Sequence, residues 1–85
     1  MKKKTNKMDI WVISNVSVFL GQSIDTEMGD SVYWYLNDGS ELEIDFNEKE
    51  IKFIDWVGDT KTYFAIVGLA SSKNFTTNDY FTDKK

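Results

Sequence analysis

Ser31-Val32-Tyr33-Trp34-Tyr35-Leu36-Asn37-Asp38-Gly39-Ser40-Glu41-Leu42-Glu43-Ile44-Asp45-Phe46 is two strand-forming runs joined by a turn signal, and its register decides the fold. Val, Tyr, Trp and Ile fill a pleated, half-buried surface well, and apolar residues recur with a period of two on both sides of the turn. A three-residue loop Asn37-Asp38-Gly39, with Gly39 left-handed, makes a type I turn with a G1 bulge. It pairs Leu36 with Ser40, Trp34 with Leu42 and Val32 with Ile44. The aliphatics then share one face with Trp34, while Tyr33 and Tyr35 lie on the other, opposite Glu43 and Glu41. A two-residue Asp38-Gly39 loop pairs Trp34 with Glu43 and puts both tyrosines among the aliphatics. The first register segregates polar from apolar groups better, and a slip of one residue inverts both faces.

Carrying that parity onward, a loop of two or four residues around Asn47–Glu50 pairs Phe46 with Ile51, Asp45 with Lys52 and Glu43 with Ile54. The polar face then gathers Tyr33, Tyr35, Ile54 and Trp56 beside Glu41, Glu43 and Asp45. Further turn signals at Gly21-Gln22, Met28-Gly29-Asp30 and Gly58-Asp59 bound two more runs. Five strands are predicted: Ile10–Leu20, Ser31–Leu36, Glu41–Phe46, Ile51–Val57 and Lys61–Leu69. The first and last are apolar on both parities, which predicts a sheet that curls on itself. The expected fold is all-β: a five-stranded, mostly antiparallel meander forming a small barrel or half-barrel. Residues 1–7 are expected to be a disordered basic segment and residues 8–85 a single small β domain. The tail after Asn74 is expected to form one helical turn or to dock its aromatics on the barrel, because Thr76-x-x-Asp79 resembles a capping box.

The 85 residues contain no cysteine, histidine, proline or arginine. That excludes a disulfide scaffold, Cys/His zinc binding, thiolate chemistry and a His-based triad. No S-x-x-K spacing and no glycine-rich phosphate loop occurs. A nucleophile–base–orienter set cannot be assembled, so the chain is expected not to be an enzyme and to need no cofactor or metal. Abundant Lys, Asn, Ile, Phe and Tyr follow AT-rich coding, a trait shared with small acidic phage and plasmid proteins.

Charge is unevenly placed. Residues 1–7 hold four lysines and no acid, whereas residues 8–81 hold thirteen carboxylates against four lysines, a net of −9. An acidic body binds phosphate backbones poorly, so direct nucleic-acid binding is not expected. A basic segment followed by an apolar run has the outline of a signal peptide, but Asp9, Ser14, Asn15 and Ser17 interrupt it. Residues 9–20 are also too few to span a bilayer, so a cytoplasmic protein without membrane contact is expected.

Glu41-x-Glu43-x-Asp45 is the most regular polar pattern. On a strand it projects three carboxylates along one face, about 7 Å apart. It lacks the tight turn of a calcium loop, and an ordinary solvated strand face accounts for it as well. Aromatic residues reach 15% of the chain, and Tyr and Trp anchor protein interfaces with acids as a polar rim. The expected function is non-enzymatic protein binding through Tyr33, Tyr35, Glu41, Glu43, Asp45, Ile54 and Trp56, toward a basic partner. An inhibitor or anti-defence protein of a phage or mobile element, acting in the host cytoplasm, fits these traits. The second reading is a small-ligand or carbohydrate-binding barrel that stacks sugars on Trp56, Tyr33 and Tyr35.

Overall fold

The computed structural model describes residues 7–82. It runs α1 (Lys7–Leu20), β1 (Thr26–Met28), β2 (Ser31–Tyr35), β3 (Glu41–Asp45), β4 (Glu50–Ile54), α2 (Thr60–Ser72) and β5 (Thr76–Tyr80). The strands form one five-stranded sheet in the order β1-β2-β3-β4-β5. The first three pairings are antiparallel and β4–β5 is parallel. The sheet is not closed: two helices cover one face of it, so the expected all-β barrel is corrected to a mixed sheet under a helical layer. The disordered segment expected over residues 1–7 lies outside the described residues, except that Lys7 opens α1.

The central hairpin has the expected register. Trp34 pairs with Leu42, Val32 with Ile44, Tyr33 with Glu43 and Tyr35 with Glu41. Gly39 is left-handed at φ 96, its N–H donates to the Leu36 carbonyl at 3.1 Å, and the Leu36 N–H donates to Ser40 at 2.9 Å. The Asp38 carboxylate accepts from the Ser40 N–H at 2.8 Å and holds the turn. At the next hairpin the expected pairs move by two residues, to Ile44 with Ile51, Glu43 with Lys52 and Glu41 with Ile54. The loop takes in Phe46 because the Asp45 carboxylate accepts the N–H groups of Asn47 and Glu48, both at 3.0 Å. A two-residue shift keeps parity, so the faces stay as expected.

Ile10–Leu20 and Lys61–Leu69, expected as strands, are helical, and the tail, expected as one helical turn or as docked aromatics, is strand β5, with Phe75 buried in the core and Phe81 exposed. In α1 the buried residues are Asp9, Val12 and Val16, a helical spacing. Gly21, at φ 74, ends this helix by donating to the Ser17 carbonyl at 2.8 Å. In α2 the carboxylate of the N-cap Asp59 accepts from the Thr62 N–H at 3.2 Å and from its hydroxyl at 2.7 Å. Left-handed Asn74 (φ 65) ends the helix, and Phe75 N–H closes on the Ala70 carbonyl at 2.8 Å. The crossover through α2 is what allows β5 to lie parallel to β4, since parallel neighbours need a long connection.

The core lies between the layers. Val12 and Val16 of α1 and Ile66, Leu69 and Ala70 of α2 pack on Val32, Trp34, Leu42, Ile44, Ile51 and Phe53 of the sheet. The doubly apolar segments thus bury one side on the sheet, and curling it becomes unnecessary. The sheet's other face is left without a covering layer.

Candidate functional site: the open face of the sheet

Strand alternation and the observed register arrange the open face in three rows. Tyr35, Glu41, Ile54 and Tyr80 form one row. Thr26, Tyr33, Glu43, Lys52 and Asn78 form the next, and Met28, Ser31, Asp45, Glu50 and Thr76 the last. Six of the seven residues expected to bind a partner stand here: Tyr33, Tyr35, Glu41, Glu43, Asp45 and Ile54. The seventh, Trp56, does not. Asp55 takes a left-handed conformation at φ 49 and turns the chain back toward the helices. Trp56 packs edge-on against Phe53, centroids 5.2 Å apart, and lies 6.4 Å from Tyr63 of α2. Gly58 is seated against the indole, where a Cβ would fall 2.9 Å from Trp56 Cζ2, so glycine is needed for this approach.

The open face is organised by its own contacts. Tyr33 and Tyr35 stack with parallel rings, centroids 6.1 Å apart. Lys52 lies 3.9 Å from Glu43 and over the Tyr80 ring at 5.6 Å from its centroid. Asn78 Nδ2 and the Tyr80 hydroxyl both donate to Glu50 Oε2, the latter at 3.1 Å. Asn78 and Tyr80 are not among the expected site residues because Thr76–Tyr80, with Tyr80 its one aromatic, lacks the apolar/polar alternation that marks a strand. Tyr35 is exposed, so Tyr35→Ala should change the thermal unfolding free energy by no more than about 0.5 kcal/mol.

Carboxylates crowd at one end of β3. Burial raises the Glu41 carboxyl above its ordinary 4.5, and the negative charges of Glu43 and Asp55 add to the rise. Burial, followed by the charge and hydrogen bonding of Glu43, likewise raises the Tyr33 phenol. A carboxyl whose folded pKa is raised holds its proton more tightly folded than unfolded. Its ionisation therefore removes stability as pH rises from about 4.5 through the folded value. Glu41→Gln should accordingly be more stable than the parent near neutral pH, and the advantage should shrink toward about pH 4. Urea midpoints at the two pH values measure this; an equal or lower midpoint at neutral pH would contradict the crowding.

On the helical side, a cavity of about 190 Å³ is lined by Phe19, Leu20, Leu36, Asp38, Trp56, Gly58, Asp59 and Thr62. Its two carboxylates already hold the Ser40 turn and the start of α2. Trp56 Nε1 is buried without an acceptor among the described residues. Trp56 and the Tyr33–Tyr35 pair therefore occupy different sides of the sheet and cannot stack on one sugar. No group of three or more acidic side chains with metal-holding geometry occurs among the described residues, and none of their helices is long and apolar enough to cross a membrane. No protein-family model matches the chain, and neither does any curated protein or solved structure.

Proposed function

We propose that the chain is a non-enzymatic binding protein that uses the open sheet face to hold a basic protein surface. One observation carries this reading: a stacked tyrosine pair and four carboxylates against a single lysine share a sheet face that neither helix covers. Tyrosines supply contact area at low entropic cost, and surrounding acids steer and orient a cationic partner. Ile54, between Glu41 and Tyr80, adds an apolar spot inside the acidic row.

A narrower form is an inhibitor that fills the basic groove of a nucleic-acid-handling enzyme, as a phage anti-defence protein would. The regular spacing of Glu41, Glu43 and Asp45 along β3 favours it. Lys52 beside Glu43, and the use of Asp45 to hold its loop, weaken it. The broader reading is therefore the conclusion.

The test is capture from cell extract on immobilised protein, comparing the parent with Tyr35→Ala at about 50 and about 500 mM NaCl. A partner retained by the parent at low salt, released at high salt and weakened on Tyr35→Ala supports the reading. A 1–3 kcal/mol loss is the expected scale for an anchoring aromatic, roughly 5- to 150-fold in Kd. Retention that is indifferent to both salt and Tyr35 would reject the open face as the binding surface.

A further inference from the structure

The helical layer presents a second surface of opposite chemistry. Ile10, Trp11 and Val18 of α1 are 54%, 44% and 76% exposed, and Phe64 of α2 is 62% exposed. In a strand, Ile10 and Trp11 would point to opposite faces; on a helix, Ile10, Trp11, Ser14 and Val18 share one outward side. Lysines outnumber the exposed acids here, the exposed acid being Asp59 at the start of α2. Lys7 opens α1, Lys61 lies in the first turn of α2, and Lys73 follows α2 with its ammonium 4.5 Å from the centre of the Trp11 ring. The acid within α1, Asp9, is buried, α2 contains none, and Asp59 caps its start. Lys2, Lys3 and Lys4 precede α1 in the sequence.

We propose, against the expectation of no membrane contact, that this face docks on an anionic lipid bilayer, lying in the headgroup region without crossing it. Two signals are combined, as stable peripheral attachment requires: apolar side chains, including a tryptophan, that enter the interface, and lysines that meet anionic headgroups. The acidic sheet face does not oppose docking. It lies on the far side of the sheet from helices that are themselves about 10–12 Å across with their side chains, and around the molecule, through solvent, its charges are screened over about 8 Å at physiological ionic strength. Docked this way, the protein holds the open face toward the aqueous phase.

The test is co-sedimentation of the full chain with phosphatidylcholine vesicles, with and without about 30 mol % phosphatidylserine. Binding to the anionic vesicles, little binding to neutral ones, and release at about 500 mM KCl are expected. Ile10→Glu with Val18→Glu should weaken anionic-vesicle binding about tenfold or more; both positions are exposed, and a thermal melt verifies folding. Should that pair fail to fold, Lys61→Glu with Lys73→Glu tests the same face. Tyr35→Ala should leave vesicle binding unchanged, which separates this surface from the partner-binding one. No binding to anionic vesicles, equal binding to neutral ones, or binding indifferent to these helix variants would overturn the proposal. So would a parent dimer that Ile10→Glu with Val18→Glu makes monomeric without loss of lipid binding, since the face would then belong to a second copy.

Discussion

Trp34→Ala should lower the unfolding free energy by about 3–5 kcal/mol in urea titrations, while Tyr35→Ala, its neighbour on β2, should stay near the parent. Trp34 is wholly buried beneath the helices, within a cluster that includes Val12, Val16, Leu42 and Ile66. Its indole Nε1 donates to Ser17 Oγ of α1 at 3.3 Å. Truncation removes the largest side chain of the core and leaves that hydroxyl without its donor, so cavity and hydrogen-bond losses act together. A small domain holds only about 5–15 kcal/mol in total, and a domain of this size has little surplus. The variant should populate unfolded chains at room temperature. A tolerated Trp34→Ala beside an unfolded Tyr35→Ala would mean that the two faces of the hairpin are exchanged.

The second large effect concerns encounter with a partner. Glu41→Lys together with Glu43→Lys should slow association more than tenfold at low ionic strength and flatten or reverse its salt dependence. Of the charged groups on the open face, Glu41, Glu43, Asp45 and Glu50 oppose Lys52, a net of −3; the double reversal makes it +1. Folding should survive. Glu43→Lys sets a like charge beside Lys52, but Glu41→Lys removes an acid that Glu43 and Asp55 already crowd. Stopped-flow association with the captured partner, over a range of salt, measures the change. Unchanged kinetics would place the binding surface elsewhere.

The central hairpin and its faces were legible in the sequence because local chemistry over-determines them. Asn37-Asp38-Gly39 supplies a left-handed glycine and an Asx contact, and only one register separates Tyr33 and Tyr35 from Val32, Trp34, Leu42 and Ile44. The helices were illegible for a related reason. Val12, Ile13, Val16 and Leu20 carry a helical period, but Ile10, Trp11 and Val18 fill the side that is ordinarily polar, so the alternation vanishes. Ile and Val also favour strands when judged locally, and tertiary burial outweighed that preference. At α2, Gly58-Asp59 reads equally as a turn or as a cap, and Thr62, whose backbone and hydroxyl Asp59 holds, decides it. Trp56 was misplaced because parity stops at Asp55, a non-glycine residue with positive φ that nothing in a pattern of twos announces.

The parallel strand at the sheet's edge bears on how the molecule is assembled. β1 to β4 join neighbours through turns of a few residues, contacts that form within microseconds in isolated hairpins. β5 must wait for residues 55–75 to be organised as α2 and laid across the core, a loop closure whose entropic cost is met before its contacts form. Until then β4 presents an unpaired edge carrying Ile51, Phe53 and Ile54, and such edges recruit other chains. A chain whose β5 has not yet paired should therefore aggregate more readily than the folded molecule. Changes in Thr76–Tyr80 would bear more on refolding yield than on the thermal midpoint of molecules that have already folded.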